Sequence, residues 1–138
     1  MIKEVAIPTG ATKMEMKYLV SSHCTNRIDA DEFTSKDNVI GFNGKEIFRF
    51  KPWRDDCLQY RSINPYTRRW SDGVWSSDFS RTGWCPGTAV LPTDIPLDET
   101  DVSASPHRVS FCVENIRPKD EKGHHGYWRV SAYLVGYK

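Results

Sequence analysis

Apolar and polar side chains alternate along residues 13–21. Met14, Met16, Tyr18 and Val20 fall on one face of this segment, and its charged side chains fall on the other. A period of two is typical of a strand with one face in the core and the other in water. The pattern therefore predicts a half-buried strand.

Shorter segments with a similar pattern recur along the chain, separated by turn-forming residues. They predict further strands at residues 3–8, 38–42, 46–50, 89–91, 94–97, 107–116 and 127–137. Asn43 and Gly44 accept the positive φ angles of a tight hairpin turn between two of these strands. No segment shows a convincing helical period. We therefore predict an all-β fold in which residues 1–138 form a single eight-stranded antiparallel jelly-roll β-sandwich with one long crossover loop.

Residues 53–92 form that predicted loop, which holds four of the five tryptophans and two of the four cysteines but no sustained apolar period. A structureless loop of this length in a compact domain is uncommon and is usually functional. We expect a disulfide between Cys57 and Cys85, rather than a backbone ladder, to hold it in shape. Closing a loop of about 28 residues in this way stabilises a fold by roughly 3 to 4 kcal/mol. We expect Cys24 and Cys112 to remain thiols.

Composition adds few constraints. The chain has 138 residues, 19 basic and 18 acidic, so its net charge of +1 predicts neither nucleic-acid nor membrane binding. No apolar run approaches the roughly 20 residues that span a bilayer, and no signal peptide is evident. The predicted disulfide indicates an oxidising compartment. We expect a secreted, periplasmic or extracellular protein, with a virion as the alternative location.

Two polar groups in the first long loop are candidates for chemistry. Glu32 follows Asp29 and Asp31, and a carboxylate cluster can work as an acid or base when its neighbours shift a pKa. A solvated acidic turn is the plainer interpretation of this spacing. His23 and Cys24 lack a base or second ligand at a fixed spacing, which favours a hydrogen-bonded loop histidine.

Arginines alternate with aromatic residues through the long loop. Indole faces pack against sugars or cations, and guanidinium forks bind carboxylate or carbonyl oxygens. Trp53, Arg61, Arg81 and Trp84 are accordingly candidate ligand-binding residues. The alternative is that the tryptophans only supply a core for the loop. We predict no metal site and no cofactor.

Four sequence features together resemble a known family. They are the string from Arg81 to Gly87 (RTGWCPG), a charged loop ending in Asp-Glu-Phe, the pair Asn64-Pro65, and the closing string SAYLV. They resemble the C-terminal domain of peptide-N-glycosidase F, and the similarity covers nearly the whole chain. The resemblance implies an eight-stranded antiparallel jelly roll, related to that of the copper-dependent peptidylglycine monooxygenases. It also implies an enzyme of two such domains, which binds a glycan-bearing asparagine between them and hydrolyses the amide bond from sugar to protein.

The resemblance also implies roles for single residues. Glu32 matches the family's glutamate at the domain interface, and this is the one catalytic candidate. Arg81 and Trp84 match its substrate-side arginine and tryptophan, and His23 lies near the family's loop histidine, so His23 is also a candidate substrate-binding residue. Cys57 and Cys85 match a family disulfide.

Three departures limit what can be carried over. Ala30 and Thr34 stand where the family has cysteines flanking the glutamate, and Cys24 stands where a glycine is expected. The principal catalytic aspartate belongs to the N-terminal jelly roll. The resemblance therefore implies a domain that binds an N-glycan or glycopeptide and does not cleave alone, with a second jelly roll as one candidate partner. The alternatives are a stand-alone structural or interaction module, such as a capsid or adhesion unit, and a relative of the copper monooxygenases.

Overall fold

The computed structural model describes residues 1–7, 9–24, 31–98 and 106–138 of the chain. Within these ranges it contains nine strands and two short 3₁₀ helices. The strands are β1 (Ile2–Val5), β2 (Lys13–Cys24), β3 (Asn38–Phe42), β4 (Lys45–Phe50), β5 (Trp53–Arg54), β6 (Arg81–Thr82), β7 (Thr93–Leu97), β8 (His107–Val113) and β9 (Gly126–Tyr137). The 3₁₀ helices are Asp31–Phe33 and Cys57–Ile63. In the described part of the chain, no helix is long and apolar enough to cross a bilayer.

Two antiparallel sheets form the body of the fold. One has the strand order β1-β8-β3-β4, and the other has the order β7-β2-β9. A small third sheet pairs β5 with β6. The described residues thus hold seven strands of four residues or more, and the two-residue pair β5–β6. The predicted all-β jelly-roll sandwich is confirmed.

The core lies between the two large sheets, and β2 supplies much of it. Met14, Met16, Tyr18 and Val20 are all buried, as their alternation predicts. They pack against side chains of the facing sheet and of β7: Ile40, Phe42, Val109, Ile95 and Leu97. The Tyr18 hydroxyl donates a hydrogen bond of 2.9 Å to Asn38 Oδ1 and so links the sheets. Burial raises the pKa of Tyr18 above its ordinary value, which keeps this donor neutral.

Strand boundaries differ from the prediction in two places that matter here. Residues 89–91 are not a strand, since none of the described strands pairs with them and Pro92 cannot donate to a ladder. β2 runs on to Cys24 because β9 continues to pair with it, from Lys13 opposite Tyr137 to Cys24 opposite Gly126. This extension carries the end of β2 out of the core and into the site described below.

The long loop is more ordered than its sequence pattern indicates. The predicted disulfide between Cys57 and Cys85 is present, with Cα atoms 5.1 Å apart. Cys24 and Cys112 take part in no disulfide. The expectation that no backbone ladder holds the loop is wrong, because β5 pairs with β6 and a 3₁₀ helix begins at Cys57. The β5–β6 ladder and the Cys57–Cys85 disulfide therefore both close the loop.

Candidate functional site

Four chain segments meet at the end of β2. They are the last residues of β2, the first 3₁₀ helix, strand β6 and the start of β9. Arg81 Nε donates a hydrogen bond of 3.0 Å to Glu32 Oε1, and the two side chains are only 8% and 12% exposed. The structure thus joins two residues that lie far apart in sequence into one ion pair. Charge-assisted bonds of this kind are about twice as strong as neutral ones.

The guanidinium of Arg81 is fixed on several sides. Nη1 donates to the carbonyl of Phe79 and Nη2 donates to the carbonyl of Ser76, both at 2.8 Å. The rings of Phe33 and Trp84 each lie 5.1 Å from the guanidinium carbon, within the range of cation–π contact. Arg81 is therefore held in one orientation, with three of its five N–H donors engaged within the chain.

The other oxygen of Glu32 is also engaged. Cys24 donates to Glu32 Oε2 through both its backbone N–H and its Sγ–H, each at 3.2 Å. Each carboxylate oxygen has two lone pairs, so Oε2 is fully engaged, while Oε1 accepts one bond from Arg81 and can still accept one from a ligand hydroxyl or amide N–H. This geometry suits a carboxylate that binds a ligand and polarises it. It suits less well a carboxylate that accepts and releases protons during catalysis.

His23 and Trp84 form the aromatic part of the same cluster. The His23 ring lies 5.0 Å from the Trp84 ring and 5.4 Å from the Tyr127 ring, and it shares a 2.9 Å hydrogen bond with Ser21 Oγ. Trp84 Nε1 donates to the Ser22 carbonyl at 2.9 Å, which fixes the indole. Burial lowers the pKa of His23, with Glu32 opposing this effect and Arg129 adding to it. His23 is therefore held largely neutral near pH 7.

Asp31 anchors the short helix that carries Glu32. Its side chain is 1% exposed and accepts hydrogen bonds from Trp128 Nε1 at 2.9 Å and from the Arg117 backbone N–H at 3.3 Å. Lys36 Nζ lies 2.5 Å from Asp31 Oδ1 and supplies the balancing charge. The sequence indicated a solvated acidic turn here, and for Asp31 this is wrong. Asp29 lies outside the described residues.

A groove opens on the far side of Arg81, and we call it the aromatic groove. Its walls include Phe33, Trp53, Trp70, Phe79, Arg68 and Arg81, and its volume is about 910 Å³. Ligand sites in proteins typically measure about 300 to 1,000 Å³. Three serines and one aspartate also line it: Ser71, Ser76, Ser80 and Asp72. The groove therefore mixes exposed ring faces with hydrogen-bonding groups.

The remaining site candidates divide between two places. Trp53 lines the aromatic groove, as a ligand-binding residue would. Arg61 instead pairs with Asp78 through both Nε and Nη2 and lies over the Trp75 ring at 5.2 Å. It does not line the groove, so its predicted contact with substrate stays a prediction that this geometry does not favour.

A metal-like cluster of side chains lies at the disulfide. In the described ranges, Asp56, Cys57 and Cys85 are the one group of three potential ligands that converge. Both sulfurs are joined to each other, so neither can act as the thiolate that binds a metal.

Comparison with known proteins identifies the family. The family model for the C-terminal domain of peptide-N-glycosidase F matches residues 1–135. The chain belongs to this family. A search of curated proteins found no match. The likeness inferred from the string around Arg81 and from the Asp-Glu-Phe loop is thereby confirmed.

Solved structures of the family agree with the fold. One crystal structure of PNGF-II is 32% identical, with a TM-score of 0.86, and the match covers 99% of this chain and 24% of that one. A peptide-N(4)-(N-acetyl-β-D-glucosaminyl)asparagine amidase is 20% identical with a TM-score of 0.68, over 98% and 43% of the two chains. PNGase F, a glycosylasparaginase from Flavobacterium meningosepticum, is 20% identical with a TM-score of 0.68, and the match covers 98% of this chain and 42% of that one. The last two matches support the fold alone. This family member spans between a quarter and about two-fifths of the chains that it matches.

Two features of the site were not foreseen from the sequence. The buried role of Asp31 depends on Trp128 and Arg117, which lie far along the chain and leave no local signal. Trp70 stands on a small hairpin whose tip contains Asp72-Gly73, and this pair is a recognised turn signal. Gly73 has φ +88°, so the hairpin could have been predicted from that pair.

Proposed function

We propose that this chain is the glycan- or glycopeptide-binding half of an N-glycan amidase and does not hydrolyse its substrate alone. The supporting observation is the Glu32–Arg81 ion pair, which is fixed beside Trp84 and His23 and whose arginine also lines the aromatic groove. Such a cluster offers a ring face for a pyranose and a charged acceptor for its hydroxyl or N-acetyl N–H groups.

Within a complete enzyme, each residue has a separate task. Glu32 accepts hydrogen bonds from the innermost sugar and polarises the scissile amide, while Arg81 and Trp84 position the glycan. His23 packs against Trp84 and supports the binding face. We assign water activation to a carboxylate base on a second jelly-roll domain, because Glu32 Oε2 already accepts two hydrogen bonds from Cys24 and Oε1 is paired with the Arg81 cation.

The disulfide supports export. A bond between Cys57 and Cys85 persists in oxidising compartments, so we place the protein outside the cytoplasm, in the periplasm or the extracellular medium.

Binding and cleavage can be separated by two assays on the same protein. In the first, the chain is incubated with a denatured N-glycoprotein and released glycans are quantified, and we expect no turnover. In the second, a fluorescent chitobiosyl-asparagine peptide is titrated with the chain, and we expect saturable binding that Glu32→Gln weakens. Glu46→Gln is the matched control, because Glu46 is an exposed carboxylate that also pairs with an arginine.

The outcomes discriminate between the hypotheses. Glycan release by the wild-type chain that Glu32→Gln abolishes would overturn the binding-only role. Absence of any binding, together with multimers in solution, would favour the alternative of a structural or interaction module.

A further inference from the structure

We propose that the aromatic groove is an extended sugar subsite, which takes the outer residues of an N-glycan whose innermost sugars bind beside Glu32 and Arg81. This inference rests on the proposed function and adds a specificity determinant to it. The ligand class is an extended oligosaccharide rather than the disaccharide core alone.

Position is the first argument. Arg81 belongs both to the ion pair and to the groove wall, and Phe33 follows Glu32 directly in the first 3₁₀ helix. Arg81 therefore connects the two places, and a glycan anchored at Glu32 would extend past this side chain into the groove. The volume of about 910 Å³ is near the upper end for ligand sites, so it suits several sugar rings more than one.

The second argument is that Trp70, which lines the groove and is exposed, is held in a fixed position. Trp70 N donates to the Val74 carbonyl at 2.8 Å, and Gly73 N donates to the Trp70 carbonyl at 3.0 Å, which closes the hairpin. The Arg68 guanidinium lies 4.0 Å from the Trp70 ring centroid and steadies it. Trp70 nevertheless remains 41% exposed. A large apolar ring held in place while solvated would lose little entropy when it binds a ligand.

The polar groups of the groove favour a carbohydrate over a peptide. Among the described residues, the side chain of Arg68 has no hydrogen-bond or carboxylate partner beyond its stack on Trp70. With the three serine hydroxyls, it offers donors spread between ring faces, as a polyhydroxylated ligand requires. Peptide grooves more often offer an open strand edge or deep apolar anchor pockets.

The experiment compares two fluorescent glycopeptides on the same peptide, one with a long oligomannose glycan and one with the chitobiose core only. The wild-type chain should bind the long glycan more tightly. Trp70→Ala should weaken long-glycan binding by about fivefold to tenfold, as expected for loss of one aromatic contact, and should leave core binding unchanged. Trp70→Phe should restore part of the difference. Tyr66→Ala is the control, because Tyr66 is an 88% exposed aromatic of the same loop outside the groove wall.

Failure of this inference is distinguishable from failure of the proposed function. Equal wild-type affinity for both glycopeptides, or an equal loss for both in Trp70→Ala, overturns the extended subsite and leaves the core site standing. If the affinity instead depends on peptide length while the glycan is kept the same, the groove binds the peptide, and the extended subsite is also overturned. Arg68→Ala, at an exposed position, repeats the test if Trp70→Ala fails to fold, and it should reduce long-glycan binding selectively.

Discussion

Replacing Arg81 with methionine would remove the cation from the ion pair at the site while keeping a long apolar side chain. Glu32, at 12% exposure, would then hold a carboxylate with no charge partner among its present contacts. Breaking a buried ion pair from one side costs about 3 to 5 kcal/mol, because the remaining charge stays desolvated. The change also removes the donors to the carbonyls of Phe79 and Ser76. We therefore expect Arg81→Met to lower the free energy of unfolding by about 3 to 5 kcal/mol, a large share of a typical 5 to 15 kcal/mol.

Replacing Glu32, the partner of Arg81, should lower the free energy of unfolding by less than replacing Arg81 does. In Glu32→Gln, the amide oxygen can still accept from Arg81 Nε, but the amide nitrogen replaces the oxygen that accepts from Cys24. The loss of that acceptor should cost about 1 to 3 kcal/mol. The double variant should lose less than the sum of the single variants, with a coupling of about 0.5 to 3 kcal/mol for two contacting residues. A double-mutant cycle by urea unfolding, with the slope checked for constancy, measures all three values.

Arg49 provides the control for this cycle. It pairs with Glu46 and Glu114 at an exposed position, where ion pairs contribute about 0 to 1 kcal/mol. If Arg81→Met costs no more than Arg49→Met, the Glu32–Arg81 pair does not hold the site together, and the argument from its burial is wrong.

Three further predictions concern the frame of the site. Replacing Cys57 and Cys85 by alanine should lower the free energy of unfolding by about 3 to 4 kcal/mol, because the unfolded chain regains the entropy of a loop of about 28 residues. The loss is measured as a lower urea midpoint. Because burial lowers the folded-state pKa of His23 below 6.5, the unfolded state takes up the proton first as pH falls. Stability should thus decline below about pH 6.5 until the folded pKa is passed, and His23→Gln should flatten this part of the pH profile relative to wild type. Gly126→Ala would place a Cβ 2.8 Å from the Asp31 side chain, so we expect a cost of about 1 to 3 kcal/mol and a lower melting temperature.

Much of the fold was predictable because its signals are local. The alternation of Met14, Met16, Tyr18 and Val20 fixes which face of β2 enters the core, and Asn43-Gly44 fixes a hairpin turn. Both depend only on the geometry of a strand and a turn, so a single sequence carries them.

The site was predictable only in part, because its contacts are between distant segments. The sequence indicated Glu32 and Arg81 separately, but their pairing spans 49 positions and depends on the loop returning to β2 through the β5–β6 ladder. The spacing of apolar and polar residues along a sequence does not indicate which distant residues will pair. For Asp31, local spacing favoured a solvated turn, and burial by distant partners overrode it.

Under the proposed function, the arrangement of contacts gives a reason for binding and catalysis to be divided between two domains. Arg81 spends three donors on Glu32 and two backbone carbonyls, and Glu32 spends both oxygens on Arg81 and Cys24. Groups held this firmly bind a ligand in one orientation at small entropic cost, which is what positioning requires. A base that activates water needs an acceptor oxygen ready to take a proton, and an oxygen engaged with cations and N–H donors is poorly suited to that task. Under the proposed function, the rigidity that favours binding at this surface is therefore a reason to expect the proton-accepting group elsewhere in a complete enzyme.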